Sequence, residues 1–231
     1  MSVDDEIPAG IGTIAAMAVH VDASLPVHPL TVDDLAAMVA AGILGEDDRV
    51  ELLDGVLIEM SPHGEPHMYA IRRFTALAMP AVAAAEMELS PQCPLGVRSP
   101  ISQPEPDFAV IPRTPRTAKP ADAVLVLEIS SSSRAIDLGV KAAVYARADI
   151  PEYWVLDVER RELIVHREPR DGRYSSVRTL GEHDTSRRSP STSRCRCPSC
   201  SESWAYARRW QTGVTGIAAL PADSPQKIGD V

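Results

Sequence analysis

Residues 124–141 read VLVLEISSSSRAIDLGVK. Val124 to Leu127 form an apolar run of the kind that enters a protein core. Glu128 interrupts it, and four serines then turn the chain. RAIDLGVKAAVYARADI (134–150) has helical character, and PEYWVLD (151–157) opens a second apolar strand. Strand 124–130, helix 136–148 and strand 152–157 make a βαβ crossover, expected to be right-handed. That unit decides the class, an α/β fold with a mixed sheet.

The flanking sequence extends the pattern. TVDDLAAMVAAGIL (31–44) predicts a helix capped by Thr31, with Asp33 and Asp34 in its first turn and Leu35, Met38, Val39 and Ile43 on one face. RVELLDGVLIEMSP (49–62) predicts a hairpin, because Asp54-Gly55 suits a type I′ turn in which both central residues take positive φ. HMYAIRRFTALAMPAVAAAE (67–86) is Ala-rich and helical, with Pro80 expected to kink or end it. One or two short strands follow in 86–100, then a strand in PEPDFAVIP (104–112). PEYWVLDVERRELIVHRE (151–168) makes a second hairpin and GRYSSVRTL (172–180) an edge strand. The predicted order is α-β-β-α-β-β-β-α-β-β-β.

The 231 residues suffice for one core with extensions. No apolar run approaches the roughly 18 residues of a membrane span. The N-terminus is acidic, unlike a secretory signal, and Cys93 is isolated, so the expectation is a reduced, cytoplasmic protein. The net charge of −9 argues against a broad, non-specific nucleic-acid binder. It divides unevenly: residues 1–181 hold 16 basic and 27 acidic side chains, net −11, and residues 182–231 hold 7 and 5, net +2.

Chemistry concentrates on the strand acids. Residues two apart share a strand face, so Asp107 sides with Ala109 and Ile111, and Glu128 with Val124, Val126 and Ser130. Two acids on apolar faces of neighbouring strands are costly unless a cation lies between them. An oxygen-ligated divalent ion of the Mg²⁺ type is the economical reading. Lys141, on the helix after Glu128, could send its ammonium towards the pair; a surface i,i+4 pair with Asp137 is the competing explanation. Alternation would make Glu51 solvent-facing. Taken singly, Asp107 reads as a strand-end residue, Lys141 as a solvated helix lysine and His67 as an exposed residue near a helix start.

Together, RVELLDGVLIEMSP, PEPDFAV and VLVLEISSSSRAIDLGVKAAVYARADIPEYWVLD resemble the Uma family of bacterial proteins grouped with restriction endonucleases, in the PD-(D/E)XK nuclease superfamily. The resemblance covers residues 30–181, after a loose lead-in at 1–29. It implies the restriction-endonuclease-like fold, a mixed central sheet flanked by helices. It also implies hydrolysis of DNA phosphodiester bonds with Mg²⁺ or Mn²⁺. Pro106-Asp107 matches the "PD" element, Glu128 the second acid and Glu51 the acid contributed near the N-terminus. Ser130 stands where the superfamily often has its lysine, and Lys141 matches a lysine moved to the next helix. By that resemblance Asp107 and Glu128 are the metal ligands, and Glu51, Asp107, Glu128 and Lys141 the catalytic set. His67 matches a histidine common in that region. Arg72, Arg73, Arg113, Arg116 and Lys119 are the candidate phosphate contacts, and a homodimer would suit double-strand cutting. The alternative is a binding module, non-catalytic or degraded, on the same fold.

At 182 the chain becomes rich in Ser, Arg and Cys and reads as disordered. Cys195, Cys197 and Cys200, with His183 as the nearby fourth ligand, give a weak zinc reading. The abrupt change is better explained by a shifted reading frame over 182–231. The coding DNA then holds an apolar, family-like ending in another frame, and finding none there overturns the explanation.

Overall fold

Thr31 starts the first helix, α1 (Val32–Ala40), through a reciprocal capping box with Asp34. The computed structural model describes residues 27–45, 47–113 and 122–181; most of the lead-in, Arg116, Lys119, His183 and Cys195, Cys197 and Cys200 lie outside them. α1 stops earlier than the apolar pattern predicts. Gly42, at φ +70°, closes a Schellman motif in which its N–H reaches the Val39 carbonyl and the Ile43 N–H reaches that of Met38. Of the predicted stripe only Leu35 is buried, while Val39 and Ile43 are exposed.

The Asp54-Gly55 hairpin forms as predicted, pairing β1 (Val50–Leu53) with β2 (Val56–Glu59). Both turn residues have positive φ, 49° and 81°. α2 (Glu65–Ala84) runs through Pro80 rather than ending there. The prolyl ring removes one N–H, but Ala76 and Pro80 are solvent-exposed, so water can take the orphaned carbonyl.

The remaining strands are β3 (Met87–Pro91), β4 (Phe108–Pro112), β5 (Leu125–Ser130), β6 (Glu152–Asp157), β7 (Glu162–Arg170) and β8 (Arg173–Gly181). They form one six-stranded sheet in sequence order, antiparallel throughout except for β5 and β6. That parallel pair requires the crossover, which comprises α3 (Arg134–Ile136), a π turn over Asp137–Lys141 and α4 (Ala142–Arg147). The predicted element order and the edge position of 172–180 are both observed.

Alternation along the strands fills two cores. Phe108, Leu125, Leu127, Ile129, Trp154 and Leu156 meet Ala70, Phe74, Ala78 and Val82 of α2. Ala109, Val126, Tyr153 and Val155 meet Leu53 of the hairpin together with Ala142, Val144 and Tyr145 of the crossover. The sheet is therefore covered on both faces, and the even run of apolar residues in β5 reflects that.

The hairpin tip is clamped. Gly55 donates to the Ile101 carbonyl at 2.7 Å and accepts from the Leu30 N–H at 2.9 Å. A Cβ on Gly55 would lie 2.4 Å from Pro29 Cβ. Gly55→Ala combines that overlap with a left-handed φ and is expected to cost about 1–3 kcal/mol, read as a lower urea midpoint with unchanged slope.

Candidate active site

The register of β4 on β5 sets Phe108 opposite Leu127 and Ala109 opposite Val126. Continued by one residue, it sets Asp107 opposite Glu128; by one more, Ile129 opposite Pro106. Pro106 has no N–H, so the ladder ends there. The Ile129 N–H turns instead to Asp107 Oδ2 at 2.7 Å, while the Asp107 N–H points at Glu128 Oε2 at 3.4 Å. The two acids thus lie side by side, Glu128 facing the Asp107 N–H and Asp107 held by that of Ile129, and both are buried.

Lys141 meets them from the π turn. Its Nζ lies 3.0 Å from Glu128 Oε1, 3.0 Å from Glu51 Oε1 and 3.9 Å from Asp137 Oδ1. The surface i,i+4 reading of Asp137 and Lys141 is therefore wrong: both are buried, and the shorter bonds are to Glu128 and Glu51. Glu51 does not face solvent as alternation suggested. β1 is covered on both sides, with Glu51, Leu52 and Leu53 all buried, and the Glu105 N–H donates to Glu51 Oε2 at 3.3 Å. Tyr145 adds a hydroxyl to Glu128 Oε1 at 2.9 Å. Asp137 is held by the Ser133 hydroxyl at 2.6 Å, and Tyr153 donates to the Asp137 backbone carbonyl at 2.9 Å. Ser130, fully buried on the Glu128 face, adds only a poorly aligned contact with Asp137.

His67 is buried in the first turn of α2, not exposed, with Nε2 3.0 Å from Asp107 Oδ1. The ring of His63 stacks on it, with centroids 4.1 Å apart. Arg49 donates to His63 Nε2 at 3.1 Å. One ring nitrogen of each histidine and one oxygen of Asp107 lie within 4.8 Å of one another. Arg72 lies 5.9 Å from the Tyr69 ring and Arg73 is exposed, neither with a described contact to the acids. Arg113 follows β4 at the end remote from Asp107.

Burial raises the pKa of Glu51 and Asp137, and that of Glu128 well above the usual carboxylate range, against the pull of Lys141. Burial alone would lower Lys141, but Glu128, Glu51 and Asp137 together hold it above its ordinary value. Glu105 is raised by burial, and His63 is lowered by burial and by His67 and Arg49 beside it. The ammonium is the counterion of a buried carboxylate cluster.

Tyr145, Glu105, His63 and Arg49 were missed in the sequence. The hydroxyl of Tyr145 sits one helical turn after Lys141, a spacing that could have drawn attention to it. His63 is four residues before His67, but a loop histidine has no pattern of its own.

A mixed six-stranded sheet flanked by helices makes this an α/β protein, with buried acids gathered at one end of its central strands. The chain belongs to the Uma2 family, described as "Putative restriction endonuclease", whose model matches residues 32–197. That match runs past the compositional break at 182. A solved structure of a "putative nuclease" from Anabaena variabilis has a similar fold, at TM-score 0.50 and 16% identity, over 66% of this chain and 84% of that one. Comparison with curated proteins found no match. Among the described residues no helix is long and apolar enough to cross a membrane.

Lys141→Met leaves Glu51, Glu128 and Asp137 buried without their cation. The expected cost at pH 8 is about 3–5 kcal/mol. Raised folded-state values mean that these acids bind protons more readily folded than unfolded. Their stabilisation is therefore complete below about pH 4 and is lost as pH rises through the folded values. Urea melts at pH 5 and pH 8 should show the larger loss at pH 8; equal losses would contradict this charge balance.

Proposed function

We propose that the chain is a divalent-metal-dependent endonuclease that hydrolyses DNA phosphodiester bonds. The observation that carries the reading is the convergence of Glu51, Asp107, Glu128 and Lys141 in one buried cluster. Family membership supports the reaction class.

The residues fit a hard cation. Asp107 and Glu128 are adjacent carboxylates whose remaining lone pairs exceed the donors around them, and their oxygens suit Mg²⁺ or Mn²⁺. Asp107 and Glu128 would hold the ion, with Glu51 beside them. Once bound, such an ion supplies charge neutralisation at the scissile phosphate and acidifies a water.

The chain's own groups do the rest. The backbone N–H of Ile129 and the His67 ring fix the Asp107 carboxylate, leaving it little freedom to rotate. Tyr145 fixes Glu128. Lys141 stays charged at neutral pH among its three acids, so it acts as a hydrogen-bond donor rather than as a base. Its protons can orient a nucleophilic water or meet the negative charge that develops on phosphoryl oxygens.

Supercoiled plasmid incubated with the full chain and Mg²⁺ or Mn²⁺ should be nicked or linearised. Asp107→Ala, Glu128→Gln and Lys141→Ala should each lower the rate by about 10²-fold or more, with circular dichroism confirming folding. Unchanged cleavage in the variants overturns the site, and no cleavage by the unmodified chain with either metal favours the binding module.

A further inference from the structure

His63, His67 and Asp107 form a second kind of donor set at the edge of the acid cluster. The acid cluster offers oxygens alone, while this set offers two imidazoles and one carboxylate oxygen. We propose that these three residues bind a borderline divalent cation, of the Mn²⁺, Co²⁺ or Zn²⁺ class, at a nitrogen-rich pole that shares Asp107 with the oxygen-rich pole.

Three observations support the assignment. The first is spacing. Two ligands at about 2.1 Å from one ion and at right angles to each other lie roughly 3.0 Å apart. His67 Nε2 and Asp107 Oδ1 are 3.0 Å apart, so the spacing is already met, with an ion taking the place of the Nε2 proton that now bridges the pair. The third donor, on His63, lies within 4.8 Å of both, in the half-exposed loop before α2. The second is the state of His63. Arg49 can only donate, so the His63 Nε2 that faces it carries a lone pair. Arg49 is exposed and can swing aside for an ion. The third is support. Asp107 presents Oδ1 to His67 while Oδ2 is held by the Ile129 N–H, so the carboxylate is aimed at the histidines by the sheet.

Imidazole ligands distinguish this pole from one suited to Mg²⁺. First-row ions from Mn²⁺ upward bind nitrogen donors with rising strength, whereas Mg²⁺ keeps to oxygen and water. The centre would then prefer Mn²⁺ to Mg²⁺, and the preference would reside in the histidines. The inference rests on the proposed function for what the ion is for; its binding can be measured without DNA.

The test is binding of Mn²⁺ to the chelator-treated full chain, followed by loss of the free-ion electron paramagnetic resonance signal, with Mg²⁺ as competitor. Mn²⁺ is chosen because the cysteines at 195, 197 and 200 bind it poorly. The unmodified chain should bind Mn²⁺ at least about tenfold more tightly than Mg²⁺. His63→Ala and His67→Ala should each remove about tenfold of Mn²⁺ affinity and leave Mg²⁺ displacement little changed. His67→Ala leaves Asp107 short of a partner and could unfold the chain, so His63→Ala, in the loop, is the decisive variant. An unmodified chain without Mn²⁺ preference overturns the proposal, and so does a folded His63→Ala with full Mn²⁺ affinity. If Mn²⁺ binds as expected but plasmid stays intact, the nuclease reading fails while the metal site stands.

Discussion

One ammonium holds the centre together. Lys141 lies 3.0 Å from each of Glu51 and Glu128, with Asp137 behind it, and all four are buried. Two such pairs, at an effective dielectric of about 20, are worth roughly 5 kcal/mol each. That is comparable with the several kcal/mol lost when each ion leaves water. Remove the ammonium and the balance reverses, since like charges then face one another with no water between them. The cluster tethers three separate pieces of chain: the hairpin through Glu51, the sheet through Glu128 and the crossover through Lys141. A change in any of the three is felt by the other two.

Topology explains why these groups meet. β4 and β5 are antiparallel, so the start of β4 and the end of β5 share one end of the sheet. Asp107 precedes β4 and Glu128 lies near the end of β5; the fold could not separate them. The crossover leaves from that same end, and its first turns pass over the acids. A regular α-helix there would advance 1.5 Å per residue with 3.6 residues to the turn. The π turn over Asp137–Lys141 widens it, and widened turns recur at functional sites because they redirect side chains. Here Asp137 and Lys141 are both turned inward, and the Tyr153 hydroxyl takes the Asp137 carbonyl.

Much of this was legible in the sequence because the relevant signals are short-range. The βαβ unit, the Asp54-Gly55 hairpin and the edge strand follow from period and turn chemistry alone. The acids of β4 and β5 stood out because a carboxylate inside an apolar run needs a reason. What alternation could not reveal is burial from outside the strand's own pattern. Glu51 reads as a solvent-facing residue until Lys141 comes down on it, and Lys141 reads as a solvated lysine until three acids surround it. Those are tertiary facts with no local signature. His63 and Arg49 lie in loops, where no period constrains side chains, and Gly42 ended α1 through a carbonyl geometry that the apolar stripe ran across.

The acidic balance of residues 1–181, net −11, bears directly on how such a centre could face a phosphate. Long-range attraction is not available to it, but at physiological salt charges act over about 8 Å, so the balance near the site matters more than the total. Near the site the described cations are Lys141, committed to its acids, and Arg49, resting on an imidazole. A guanidinium that rests on an imidazole and faces one partly buried acid, Glu105, is cheaper to redeploy towards a phosphate than an ammonium shared among three. Under the proposed function, a divalent ion changes that ranking. With part of the carboxylate charge balanced in that way, Lys141 would be able to donate elsewhere. Under that reading, charge compensation among the buried acids, rather than a basic surface, is the condition for a polyanion to approach.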